Sequence, residues 1–93
     1  MNEIKLKFDK QIILLAGRDF GIAEFNKQVK NRINYKEQIV FIFPDHIQSM
    51  ASSFIQGFFL DIVEHIGIGG VKDKVEVKNN RMDFKQLVLD NLI

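Results

Sequence analysis

The chain has 93 residues, a length that suits a single domain, residues 1–93, and leaves no room for a second core. Its 13 basic and 12 acidic side chains nearly cancel, to a net charge of +1, so charge gives no reason to expect nucleic acid or a membrane as a partner. The sequence has no cysteine and no signal-peptide pattern, which excludes disulfides and thiolate metal sites and makes the cytoplasm the expected location.

The first two segments predict a β-hairpin. EIKLKF, residues 3–8, alternates apolar and charged residues, as a strand with one exposed face does. QIILLAG, residues 11–17, has several apolar residues in succession and predicts a more buried strand. Asp9 and Lys10 between them form a candidate tight turn, so we expect the two strands to pair antiparallel.

A helix and a central strand are predicted next. Asp19 is a candidate helix cap, and apolar residues at spacings of three and four follow it in one stripe: Ile22, Phe25, Val29 and Ile33. QIVFIF, residues 38–43, is rich in β-branched and aromatic residues, which is typical of a strand covered on both faces.

The second half predicts two further helices around one strand. Residues 52–66 carry a wide apolar face at helical spacing, and the glycines of GIGG, residues 67–70, are expected to stop that helix in a loop. KVEVK, residues 74–78, alternates and predicts an edge strand with its valines inward. A last helix is predicted over residues 82–92.

The predicted order of elements, ββαβαβα, indicates the α/β fold class. Strands that alternate with helices predict a mixed four-stranded sheet with helices packed on it. The first hairpin would supply the antiparallel pair, and right-handed crossovers would join the later strands.

Two acid–histidine pairs are candidates for chemistry. Asp61 and His65 are four residues apart, a spacing that puts both on one helix face and permits metal ligation, although a charged helix surface explains the pair more simply. Asp45 and His46 follow the predicted central strand, where sites of α/β proteins often form. No phosphate-binding glycine motif is present, and we predict no cofactor and no metal.

The serines of SMASSFIQGFF, residues 49–59, lie where the second predicted helix begins. A serine oxygen at such a position commonly accepts a free backbone N–H and caps the helix, which is a structural role for Ser52 and Ser53. The same position exposes a hydroxyl at one end of the sheet, where an added phosphate would interact favourably with free amides. Both roles are open.

The segment IVFIFPDHIQSMASSFIQGFFLDIVEHIG, residues 39–67, resembles the STAS domains of sulphate transporters and anti-sigma factor antagonists. Where the antagonists typically read Met-Asp-Ser-Ser-Gly-Leu, this chain reads Met-Ala-Ser-Ser-Phe-Ile, residues 50–55. It looks closer still to a STAS-like family of unknown function in which Ser-Phe follows a serine, and GRDFG, residues 17–21, suits that family. The resemblance implies one STAS-like domain.

A non-enzymatic partner-switching function is what the resemblance implies. In the antagonists, a histidine-kinase-like ATPase phosphorylates the second serine of the pair, and the phosphate blocks binding to that kinase. Carried over, Ser53 is the phosphorylation candidate and Ser52 its neighbour. The protein partner would bind through the 45–58 region and the adjacent face of the first helix, with these candidate contact residues: Asp45, His46, Ser49, Ser52, Ser53 and Gln56.

Two other interpretations are open. One is a small ligand-binding or catalytic domain that uses Asp45, His46 and Ser53 at the end of the sheet. The other is a structural oligomerisation module, in which EIKLKF or KVEVK pairs as an exposed edge strand with another copy. The expected state is a monomer or a weak homodimer.

Overall fold

A computed structural model describes residues 2–93 of the chain. These residues contain five strands and four helices: β1 Asn2–Lys5, β2 Leu14–Leu15, α1 Arg18–Gln28, β3 Ile39–Ile42, β4 Ser49–Met50, α2 Ser52–Phe58, α3 Leu60–Lys74, β5 Val75–Lys78 and α4 Lys85–Leu92. The α/β class is confirmed. The predicted single four-stranded sheet is wrong, because the strands form one sheet of three and one of two.

The three-stranded sheet has the order β1-β3-β5, and all its strands are parallel. Strand β3 lies in the centre and β5 at an edge, as their apolar run and their alternation predict. The register aligns Ile4, Phe41 and Val77 across the sheet, and all three side chains are buried in one core. Parallel neighbours need long connections, and α1 and the α2–α3 pair lie within them.

The predicted hairpin is wrong. Strand β2 pairs in parallel with β4, with Leu14 opposite Ser49, and does not pair with β1. A two-residue hairpin turn of type I′ needs positive φ at both central residues, and no residue other than glycine has positive φ in residues 2–93. The Asp9 carboxylate instead accepts the Gln11 N–H at 2.9 Å in a local turn that leads the chain away from β1.

The predicted helix over residues 52–66 is two helices, because α2 and α3 meet at an angle of 94°. Phe59 lies at the bend with a backbone φ of −95° and ψ of 2°. Phe58, Phe59 and Ile62 are all completely buried, so the apolar face continues into the core on both sides of the bend. A periodic apolar stripe therefore predicted the buried residues correctly but did not reveal the change of direction.

Gly67 ends the first part of α3, as predicted, but the loop expected over residues 67–70 is absent because a second helical segment follows. Gly67 interrupts α3 with a φ of 71°, in the left-handed region that favours glycine. The chain then resumes a helical path as far as Lys74. Val71 is completely buried, and its packing stabilises this last part of α3. That packing compensates for the low helix propensity of the glycines before it.

Helices α1 and α2 pack closely through glycine. A Cβ atom on Gly21 would lie 2.5 Å from the carbonyl oxygen of Phe54, and one on Gly57 would overlap the carbonyl oxygen of Arg18. Glycine also begins α1, since the N-cap residue is Gly17 with a φ of 103° and not the predicted Asp19, which lies in the first turn. These glycines set the distance between the two helices that carry the candidate site.

Phe58 lies at the centre of the core. Its ring is within 6 Å, centroid to centroid, of the rings of Phe25, Phe41, Phe43, Phe54 and Phe59. Helix α1, α2 and the central strand therefore meet in one aromatic cluster. Phenylalanines at the predicted core positions are interior packing groups, as the sequence indicates.

Within residues 2–93, no single helix is both long enough and apolar enough to span a membrane. Helices α2 and α3 reach such a length and composition only as a pair joined across their bend.

Candidate functional site

The three candidate serines lie around the start of α2. Ser49 belongs to β4, Ser52 is the first residue of α2 and is exposed, and Ser53 follows it and is half-buried. The N-cap residue is Ala51, whose backbone is extended and whose side chain offers no hydrogen bond to the helix. The structural prediction that the serines cap this helix is therefore wrong.

Ser53 instead joins the beginnings of two helices. Its Oγ accepts a hydrogen bond from the backbone N–H of Gly17 at 2.9 Å, and Gly17 is the N-cap residue of α1. The same two segments are joined by backbone bonds, in which Gln48 donates to Ile13 and Ala51 donates to Leu15, both at 2.7 Å. The hydroxyl of Ser53 is thus part of the contact between α1 and α2.

Two apolar side chains next to this contact are exposed. Ile13 and Leu14 are 51% and 53% exposed, and Leu14 lies directly opposite Ser49 in the two-stranded sheet. The sequence predicted a buried strand here, which is wrong for both residues. Residues alternate between the two faces of a strand, so a continuous apolar run is buried only if both faces are covered. The sequence could have indicated this exposure in one way only: a run that is apolar on both faces needs two covering layers, and a small domain does not supply them for every strand.

Gln56 faces a different neighbour. Its Nε2 donates to the carbonyl oxygen of Asn91 at 3.4 Å, near the end of α4. It lines a cleft of about 190 Å³ together with Arg18, Leu60, Val63 and Leu92. Gln56 therefore belongs to the α2–α4 side of the molecule rather than to the serine hydroxyls.

Asp45 is held by the loop that follows β5. Its two carboxylate oxygens accept the backbone N–H of Asn80 at 3.0 Å and the side-chain amide of Asn80 at 3.1 Å. These hydrogen bonds, the backbone one first, lower the pKa of Asp45 below its ordinary value. The buried Asn79 beside it donates to the carbonyl oxygens of Pro44 and Ile47, both at 3.1 Å, and fixes the loop that carries Asp45.

His46 is half-buried and contacts the loop after β1. Its Nε2 lies 2.9 Å from the carbonyl oxygen of Asp9, so this nitrogen carries the proton and donates it to that hydrogen bond. Asp45, His46 and Ser53 thus each have a separate partner. Of the three, Asp45 alone lines the cleft of about 440 Å³ at the carboxyl ends of the three parallel strands.

Asp61 and His65 do share one face of α3. The His65 Nδ1 lies 2.8 Å from the backbone oxygen of Asp61 and 3.7 Å from its carboxylate. Tyr35 completes the group, because its hydroxyl donates to the Asp61 carboxylate at 3.2 Å and its ring stacks on His65 at 4.2 Å. Within residues 2–93, no three His, Asp or Glu side chains come together in a way that could hold a metal ion.

Comparison with models of known protein families, with curated proteins and with solved structures found no match to this chain. The resemblance to STAS domains therefore gains no support from these comparisons, and the partner class that it implies stays a prediction.

Proposed function

We propose that this chain is a non-enzymatic, cytoplasmic protein-interaction module that binds a regulatory partner through the surface around Leu14 and Ser49, which Ile13 and Ser52 flank along the chain. This surface is called the β2–β4 surface below. The observation that carries the proposal is the exposure of Leu14, at 53%, in β2 opposite Ser49, and of Ile13, at 51%, immediately before that strand.

Burial of these side chains would stabilise a complex. Covering the exposed half of a large aliphatic side chain contributes about 1 kcal/mol. Leu14 also lies in a two-stranded sheet that has no third strand within residues 2–93, so an incoming strand would find free backbone groups beside it. Both features suit a protein partner better than a small molecule, since neither forms an enclosed cavity.

Ser53 is the proposed control point for this surface. A phosphate on its Oγ would carry about −1.5 to −2 charges, and it would displace the 2.9 Å hydrogen bond from Gly17. Gly17 follows Leu14 closely along the chain, so loss of this bond would alter the backbone of the β2–β4 surface as well as its charge. Ser52 is the exposed alternative acceptor.

The proposed partner is a histidine-kinase-like ATPase, the class that the resemblance to anti-sigma factor antagonists implies. The test uses the immobilised full chain in lysate of the cells from which the sequence comes, with proteins captured by it identified by mass spectrometry. The wild type is compared with Leu14→Asp, Ser53→Asp and Ser53→Ala. Ile68→Asp is the matched control, because Ile68 is also exposed, at 37%, but lies on α3.

We expect an ATPase of this class to be captured by the wild type, by Ser53→Ala and by Ile68→Asp, and to be lost with Leu14→Asp and Ser53→Asp. Intact-mass analysis of the endogenous protein should show one added phosphate that maps to Ser53 or Ser52. Capture of no such ATPase, or equal capture by every variant, would contradict the proposal. Ligand-dependent NMR shifts around Asp45 and His46 would instead favour a small ligand-binding domain.

A further inference from the structure

Four cationic side chains from two separate elements converge on one cleft. Lys5 ends β1 and Lys7 follows it at the edge of the three-stranded sheet, while Lys27 lies in the last turn of α1 and Arg32 in the turn after it. The cleft has a volume of about 370 Å³, and Gln28 is its fifth lining residue. The net charge of the chain is only +1, so this cationic cleft concentrates positive charge at one place on the molecule.

Each half of the cluster has an ordinary explanation by itself. Lysines on an edge strand discourage pairing with other strands, and basic residues near the end of a helix interact favourably with its dipole. Neither explanation requires the lysines of the strand side to face the cations of the helix side. Their convergence brings like charges together, which costs free energy unless an anion is bound between them.

The cations of the cleft carry no anionic partner within residues 2–93. The ion pairs in that part of the chain join His65 to Asp61 and Lys85 to Glu76, and no carboxylate lines the cleft. Four positive charges are thus available to a ligand.

Gln28 holds the two sides of the cleft at a fixed separation. Its side-chain amide accepts the backbone N–H of Lys7 at 2.7 Å and donates to the backbone oxygen of Lys7 at 2.8 Å. It also donates to the carboxylate of Glu24 at 2.7 Å, and this bond orients the amide while Glu24 itself does not line the cleft. The cleft is therefore formed before any ligand arrives, which lowers the entropic cost of binding.

We propose that the cationic cleft binds a small soluble anion that carries two or more negative charges on phosphate groups. The volume is within the range of small-molecule sites, roughly 300–1,000 Å³. Arginine and lysine are the side chains that recognise phosphate, the first through its planar fork and the second as a point charge. A single negative charge would gain little from cations in contact with water, so several charges are needed. This site lies on other elements than the β2–β4 surface, and neither proposal depends on the other.

The test is an NMR titration of the full chain with inorganic pyrophosphate, at an ionic strength kept constant with sodium chloride. We expect saturable shifts of the backbone amides of Lys5 and Lys7 and of the side-chain amide of Gln28. The double variant Lys27→Gln, Arg32→Gln should weaken binding about tenfold. Each exposed charge pair raises the affinity by up to about fivefold, and this variant removes two of them. The double variant Lys30→Gln, Lys36→Gln is the matched control, because it removes the same charge outside the cleft.

Diffuse attraction would give a different result. Equal weakening by both double variants, shifts that do not saturate, or shifts centred away from the cleft would overturn the proposal. A lipid headgroup presents the same phosphate chemistry, so sedimentation with vesicles that contain phosphoinositide is measured in parallel. Binding to such vesicles without binding to pyrophosphate would also overturn it.

Discussion

Tyr35 shows how one side chain connects separate parts of the fold. Its hydroxyl donates to the Asp61 carboxylate at 3.2 Å, and its ring stacks on His65, so the turn before β3 is attached to α3. Burial first, and the negative charge of Asp61 second, raise the pKa of Tyr35 above its ordinary value. The protonated phenol is therefore the form that stabilises the folded chain.

The pH dependence follows from that direction. Because the folded-state pKa is raised, this contribution to stability is fully present below the ordinary tyrosine pKa of about 10 and is lost as the pH rises through the folded-state value. Tyr35 is the only tyrosine and the chain has no tryptophan, so the tyrosinate absorbance reports one residue. We expect its titration midpoint to lie above that of the urea-unfolded chain.

Asp61→Asn separates the two causes. The amide keeps an oxygen that can accept the hydrogen bond but removes the negative charge, so the midpoint should fall. It should stay above the ordinary value, since burial is the larger cause. Coincident midpoints in the folded and unfolded wild type would show that the contact between Tyr35 and Asp61 does not persist in solution.

The helices provide a test of packing at the scale of the element. Alanine is more favourable than glycine inside a helix by about 1 kcal/mol. At Gly57 the structure reverses that preference, because the new Cβ would overlap the Arg18 carbonyl oxygen and drive α1 and α2 apart. We expect Gly57→Ala to reduce the free energy of unfolding by about 1–3 kcal/mol, the usual cost of overpacking.

Gly69→Ala is the matched control for this change. Gly69 also lies in α3, but a Cβ atom added there would have open space around it, with no atom of another segment within 4 Å. Alanine there should raise the free energy of unfolding by about 0.5–1 kcal/mol. Urea denaturation measures both variants, and a Gly57→Ala chain as stable as the Gly69→Ala chain would contradict the close α1–α2 contact.

The elements also show where sequence patterns stop being informative. Alternation in β1 and β5 and the apolar run of β3 identified the buried faces of the three-stranded sheet, since period and burial follow from the local chain. The partner of β2 depended on Ser49 and Met50, which lie more than thirty residues further on. The pattern of residues within a short segment does not indicate which distant segment it pairs with, and the predicted hairpin was wrong for that reason.

For the whole molecule, the aromatic cluster predicts cooperative unfolding of residues 1–93 as one domain. Phe58 is completely buried and contacts rings from α1, β3 and its own helix. Phe58→Ala should reduce the free energy of unfolding by about 3–5 kcal/mol, which is a large part of the about 5–15 kcal/mol of a typical domain. The urea midpoint should fall in a single transition.

Phe8→Ala provides the comparison for that prediction. Phe8 is half-buried at the margin of the same cluster, stacked on Phe43 at a centroid distance of 5.8 Å. Its loss should cost less than the loss of Phe58, because part of its ring already contacts water. Equal costs for the two variants, or two separate transitions in the wild type, would contradict a single core centred on Phe58.

The candidate site was predicted in its residue types but not in its arrangement. The sequence placed Ser52 and Ser53 at the start of a helix, because hydroxyl residues before an apolar run mark such a position. It gave no indication that Ser53 would bond to Gly17, that His46 would bond to Asp9, or that Ile13 and Leu14 would be exposed. Each of these contacts joins parts of the chain that come together only on folding.

The sequence by itself determined the α/β class, the central and edge strands and most of the core residues, since these follow from composition and periodicity along short segments. The tertiary structure alone decided the division into two sheets, the bend between α2 and α3 and the convergence of Lys5, Lys7, Lys27 and Arg32 on one cleft. The physical reason is that the apolar periodicity of a short segment indicates which of its faces is able to be buried. Pairing, direction and site geometry depend on distant segments that compete for the same core.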